Sequence, residues 1–320
     1  MENRIYQIDY LRSVFIILMI IFHLAYIGDK YPYVKQIVYT FHMPAFLVIS
    51  GYLANIRKEK KLFILSILWL FIPYAIMETG YVLMSAILPV REKAEDMSIS
   101  LLLNKVFISP MGPYWYLHTL IICFSTYYAT GRIQFRMNKI SFFIVLGISF
   151  WLLSDWFNLI SMANAIYFMI GVIIRQCKQN FLSIFRPSFL SIFPLLILCY
   201  YPINLDRYTL AGIIITYLSI SFFLKVYCYI PDKMKNILYF IGENTLSILL
   251  FSPIFTLASK VLIPLFSFDP SGLCFLCISV AIVISGSLFI AWCMDRISLS
   301  YWFCGKKSLL SYRLATLKRI

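Results

Sequence analysis

Four ionisable residues sit inside runs of the chain that are otherwise apolar enough to cross a bilayer. Arg12 and His23 lie in DYLRSVFIILMIIFHLAYI, His42 lies in QIVYTFHMPAFLVISGYL, and Glu78 lies in the third apolar run. His118 opens a fourth run, and Asp9 stands three residues before Arg12. A charge at the middle of a membrane costs about 3 kcal/mol or more, so such residues need partners or a task. Imidazole can take or give a proton near neutral pH, and a guanidinium is a permanent, forked positive charge that suits phosphate or carboxylate. The chemistry open to this set is proton handling next to a bound anion, within a membrane.

The spacing supports a common site. Ten residues separate Arg12 from His23, so on one helix the two lie about 20° apart around the axis and about 16 Å apart along it. Asp9 is placed for an i,i+3 pair with Arg12. His42 is followed by Met43-Pro44, a bend-prone step, and by Ser50-Gly51. Simpler roles stay open for several of these residues. Arg12 could be a positive anchor at a helix start, and His23 and His118 could be interfacial residues. Glu78 could pair with a Lys or Arg of an outer loop, and Tyr114-Trp115-Tyr116 could be an ordinary aromatic belt rather than a surface that stacks on sugar rings.

Taken together, these residues resemble acyltransferase family 3, the integral-membrane O-acyltransferases of surface sugars, fucose 4-O-acetylase-like members among them. The resemblance is carried by the Arg-x10-His of Arg12 and His23 and by FHMPAFLVISGYL, with weaker echoes at GPYWYL, YFMIGVIIR and IGENTLSILL. It implies an acyl-CoA donor, acetyl-CoA or another acyl-CoA, a carbohydrate acceptor, and a His acting near the acyl transfer. The family often carries a late His where this chain has Ser252.

The elements that must position these residues are membrane helices. The chain has 320 residues, 61% of them hydrophobic, and a mean hydropathy of +0.83. That is more apolar surface than a soluble domain could hide. The expected fold is all-α, a polytopic transmembrane helical bundle in one domain over residues 1–320. About ten spans are expected, near 10–27, 35–54, 62–88, 114–130, 140–154, 161–175, 188–201, 208–228, 235–258 and 271–293. The loop from about 89 to 113 carries Arg91, Glu92, Lys93, Glu95 and Asp96, then LLLNKVFISP, which could lie along the membrane surface.

The net charge of +14 could suggest nucleic acid, but the basic residues fall in short loops between apolar runs. Topology accounts for them better. With the N-terminus inside, 21 of the 28 Lys and Arg fall on inner segments and 7 on outer ones, which places both termini in the cytoplasm. His23, His42, His118 and Glu78 then share the outer half of the membrane, and Arg12 the inner half. Cys274 and Cys277 form a C-x-x-C inside an apolar run with no second pair at metal spacing, so neither zinc nor redox chemistry is expected.

The reading with most support is an acyl-CoA-dependent O-acyltransferase, O-acetylating a sugar of a surface polysaccharide (O-antigen, capsule or exopolysaccharide) or its lipid-linked precursor. His23 is then the general base, Arg12 with Asp9 holds the donor or the charge balance, and His42 orients or shares the proton. Glu78, His118, Tyr114 and Trp115 are further candidates. The expected partners are membrane lipid, acyl-CoA and a carbohydrate acceptor, with no metal and no nucleic acid, in the bacterial cytoplasmic (inner) membrane. The competing class is a proton-coupled transporter or flippase of a glycan or small metabolite, built on the same His, Arg and Glu. Transporters usually carry internal repeats, and none is visible here.

Overall fold

In the computed structural model, residues 4–87, 98–133 and 138–311 are described, and every regular element among them is helical. In chain order these are α1 (Tyr6–His23), α2 (Ala25–Lys30), α3 (Pro32–Leu53), α4 (Lys60–Ser85), α5 (Ile99–Phe107), α6 (Trp115–Ile133), α7 (Lys139–Asp155) and α8 (Met162–Gln176). They continue with α9 (Phe181–Ile184), α10 (Ile192–Tyr200), α11 (Leu210–Tyr227), α12 (Asp232–Glu243), α13 (Thr245–Ala258), α14 (Leu273–Arg296) and α15 (Leu299–Cys304). Short 3-10 turns occupy Gly112–Tyr114, Pro202–Leu205 and Ser259–Phe266.

Local chemistry explains many of the ends. Ser98, Asn138 and Thr209 accept the backbone N–H three residues on and so cap α5, α7 and α11. Pro32 opens α3, where its missing N–H is no loss. Leu24 takes extended backbone and stops α1 at His23, so the first helix has the expected 18 residues but runs 6–23 instead of 10–27. Asn244 breaks the expected 235–258 into α12 and α13, and the seventh expected run shortens to the nine residues of α10.

Five helical stretches are long and apolar enough to cross a membrane: Tyr6–His23, Lys60–Ser85, Leu210–Tyr227, Thr245–Phe266 and Leu273–Arg296. In α4 and α14 only 17% and 22% of the apolar window is buried within the protein. Their outward faces carry Leu62, Ile64, Leu68, Ile278 and Phe289. Water would not tolerate surfaces of that size, whereas lipid does, and a helix satisfies its own backbone there. The chain is a multi-pass helical membrane protein.

The helices form two compact units, one of Met1–Phe46, Phe181–Trp302 and Lys306–Ile320, the other of Leu47–Asn180 and Phe303–Gly305. Phe15 centres the first, with edge contacts to Phe41, Phe46 and Phe223 at 6.2, 6.0 and 5.9 Å. Gly242 lets α12 lie directly against the Asp9 carbonyl of α1, where a Cβ would have no room. In the second unit α3 and α8 cross through Gly51 and Gly171, each facing the other helix's backbone. Phe63 of α4 stacks on Tyr128 of α6 at 3.7 Å.

Candidate active site

In the first unit, α1 carries Asp9, Arg12 and His23 on one unbroken helix, and the N-terminal part of α3 carries His42. The two imidazoles meet at one aromatic ring. Tyr39, three residues before His42, has its ring centre 5.9 Å from that of His23 and 5.2 Å from that of His42. Its hydroxyl donates to the carbonyl of Phe22 at 3.1 Å, which ties α3 to the end of α1.

Both histidines use the same internal clamp. Nδ1 of His23 lies 2.7 Å from the Met19 carbonyl, and Nδ1 of His42 lies 2.7 Å from the Val38 carbonyl. A carbonyl can only accept, so each Nδ1 carries the proton and, in the neutral ring, each Nε2 keeps its lone pair. The two differ in access. His23 is exposed at the end of α1, whereas His42 is buried, with no hydrogen-bond partner at Nε2. A buried nitrogen left with an open lone pair is costly unless a substrate or a transferred proton uses it.

At the other end of α1, Arg12 makes the expected i,i+3 ion pair with Asp9 and gains a further partner from α13. Its Nη2 donates to the Thr245 hydroxyl at 2.6 Å, and its distance to Asp9 is 3.7 Å. Asp9 sits closer to Arg4, at 2.8 Å, and Arg4 also binds Glu243 at 2.6 Å. Asp9 is therefore mainly the partner of Arg4, because the guanidinium of Arg4 bridges both carboxylates. Two cations and two anions balance in this cluster. Arg12 keeps 27% of its side chain exposed. Arg4, Glu243, Thr245 and Tyr39 were not singled out as site residues from the sequence. Only Tyr39 left a simple signal, its helical spacing from His42.

Glu78, His118, Tyr114 and Trp115 belong to the second unit, where the first two hold backbone. Glu78 is fully buried, and its Oε1 accepts the Met111 N–H at 2.5 Å, just before the 3-10 turn Gly112–Tyr114. Nε2 of His118 donates to the Phe107 carbonyl at 3.0 Å, at the end of α5, and its ring packs on Tyr74. Tyr74 in turn donates to the Val106 carbonyl at 2.8 Å. These contacts fasten α5 and the following loop to α4 and α6. Tyr114 is buried with its ring edge-on to Tyr81 at 6.1 Å, so it presents no face on which a sugar could stack. Trp115 is half-buried beside Tyr116. Ser50 lies 3.1 Å from the Tyr116 hydroxyl, and Ser252 is buried in α13. Arg91, Glu92, Lys93, Glu95 and Asp96 lie outside the described residues. Among the described residues no three His, Cys, Asp or Glu side chains gather as a metal site.

No curated protein and no solved structure matches the chain. A family model does: the acyltransferase domain Acyl_transf_3 matches residues 5–292, which takes in both imidazoles, the Arg12 cluster and most of the 320 residues. By that match, and with the apolar helices that carry these groups, the chain belongs to acyltransferase family 3 and is a membrane acyltransferase.

Proposed function

We propose that the protein is an acyl-CoA-dependent O-acyltransferase that O-acetylates a sugar of a surface polysaccharide, or its lipid-linked precursor, in a bacterial cytoplasmic membrane. The observation that carries the proposal is the pair of imidazoles at Tyr39, both with Nδ1 tied to backbone and Nε2 left as the basic atom. The accessible His23 takes the proton from the sugar hydroxyl as its oxygen attacks the thioester carbonyl. The C–O bond forms and the C–S bond breaks. The proton then passes to the leaving thiolate, which leaves an ester and free CoA. His42 steadies or shares that proton from its buried position. Arg12, partly exposed at the opposite end of α1, meets phosphates of the donor.

In this reading ten spans cross the membrane, one of them α13 with the 3-10 turn that follows it, and both termini lie in the cytoplasm. The support is the bias of Lys and Arg, 21 to 7, between alternate loops. The donor then approaches from the side on which Arg12 lies, and the histidines act nearer the outer side.

Mass spectrometry of surface glycans tests the proposal, comparing cells with the intact gene to cells carrying His23→Ala. The wild type should add one acyl mass to a sugar, and His23→Ala should abolish that addition while the protein remains inserted. Identical glycans in both, together with no acetyl-CoA binding by folded, detergent-purified protein, would overturn the reading in favour of a transporter.

A further inference from the structure

Next to the imidazole pair lies an open pocket of about 300 Å³ lined by Pro32, Lys35, Gln36, Tyr39, Thr40, Leu205, Asp206 and Arg207. All of these belong to the first unit. The volume is at the lower end of the ~300–1,000 Å³ of small-molecule sites and fits about one sugar unit. The ring of Tyr39, one wall of the pocket, packs against both histidines. A group bound here thus rests on the same ring as the imidazole pair.

The pocket is built rather than incidental. Thr40 donates to the Leu205 carbonyl at 3.0 Å, which joins α3 to the turn Pro202–Leu205. The Tyr33 hydroxyl bonds the Cys199 and Tyr200 carbonyls at the end of α10. Asp206 and Arg207 are held against the start of α11. Thr209 bonds the Asp206 carbonyl at 2.7 Å, and a Cβ on Gly212 would come within 2.6 Å of that carbonyl oxygen and 2.8 Å of the Arg207 Cα. One oxygen of Asp206 accepts the Tyr208 N–H at 2.8 Å. Lys35 lies 5.6 Å above the Tyr39 ring and Arg207 lines the same cavity, so two cations and one carboxylate share its walls. Two cations select an anionic group, whereas a lone carboxylate accepts sugar hydroxyls.

We infer that this pocket is the acceptor subsite and that it takes a sugar bearing an acidic group. Lys35 and Arg207 hold the acid, and Asp206 accepts a ring hydroxyl. The inference rests on the acyltransferase reading for its word "acceptor", but the binding it describes can be measured alone. The acid could be a uronate carboxylate or the phosphate of an activated or lipid-linked sugar.

The experiment measures binding of three probes to the full-length protein in detergent by isothermal titration: methyl glucuronide, glucose 1-phosphate and methyl glucoside. Either anionic probe should bind at least about tenfold more tightly than the neutral glycoside, and the tighter of the two names the source of the charge. Arg207→Gln and Lys35→Gln should each weaken that probe about tenfold, with Arg207→Lys recovering part of the loss only if the contact is a point charge. Should a variant fail to fold, the wild type answers by itself, because affinity for the anionic probe must fall as salt rises. Equal affinity for all three probes, unchanged affinity in both variants, or no salt dependence would overturn the inference. Transfer from acetyl-CoA to some sugar without any anion preference would sink this subsite and leave the acyltransferase reading standing. Anionic-sugar binding without any acyl transfer would do the reverse.

Discussion

Replacing Thr245 by valine removes one oxygen and leaves shape and β-branching almost unchanged. That oxygen accepts from Arg12 at 2.6 Å, while its own proton is directed to the Gly242 carbonyl at 3.3 Å. Thr245 is buried, so the new methyl group meets no water. A hydrogen bond to an ionised donor contributes about 1.5–3 kcal/mol. Arg12 is 27% exposed, so water replaces part of the lost acceptor and the net loss falls to about 1 kcal/mol. If Arg12 meets the phosphates of the donor, its lost orientation appears as about fivefold weaker acetyl-CoA binding. The assay is equilibrium binding of radiolabelled acetyl-CoA to detergent-purified wild type, Thr245→Val and Thr245→Ser. The serine variant keeps the oxygen and should bind like wild type. Wild-type affinity in Thr245→Val, at an unchanged melting temperature, would refute the link between this hydroxyl and donor binding.

Glu78→Ala should lower the melting temperature by at least about 2–4 °C, because the buried Met111 N–H loses its acceptor, whereas Glu78→Gln keeps a carbonyl oxygen there and should restore most of it. A glutamine variant as unstable as the alanine would refute that account, and a stable glutamine variant without transfer activity would give the carboxylate a chemical role. In the loop before α14, the Ser271 hydroxyl first, then the Cys274 and Ser271 amides, hold the Asp269 carboxyl below the usual carboxylate range. A depressed pKa adds stability that is complete above the ordinary value of 3.8 and is lost as pH falls toward the folded value. Asp269→Ala should therefore melt below wild type at pH ~7, with the gap narrowing below pH ~4, and thermal unfolding showing the same gap at both would refute the linkage.

How much of the site could be read in advance differs from residue to residue. Arg12, His23 and His42 stand out because each is an ionisable residue in an apolar run, and such residues are rare without a reason. The common face of Arg12 and His23 on α1 follows from helical period alone. Glu78 and His118 stand out by the same rule, yet the structure uses them to hold the backbone at Met111 and Phe107. Rarity flags that a group must be satisfied, but it does not say by what. Tyr114 shows the same limit, since an aromatic near a membrane surface can face a ligand, the lipid or, as here, the ring of Tyr81.

The chain alone determines that this is a helical membrane protein, where its main apolar segments run, and which polar groups they carry. Those properties are local: hydropathy, charge and the 3.6-residue period act within a single stretch, whatever the rest of the chain does. Partner choice is not local. Thr245 reaches Arg12 across 233 residues of sequence, Glu243 reaches Arg4, and Arg207 comes to share a pocket with Lys35. Helix ends shift too, as at Leu24, where the backbone turns out of the regular ladder within a stretch apolar enough to continue it. Only packing decides which of many equally polar groups meet, because each contact depends on the crossing of helices far apart in the chain, set here by close approaches such as Gly242 on the Asp9 carbonyl.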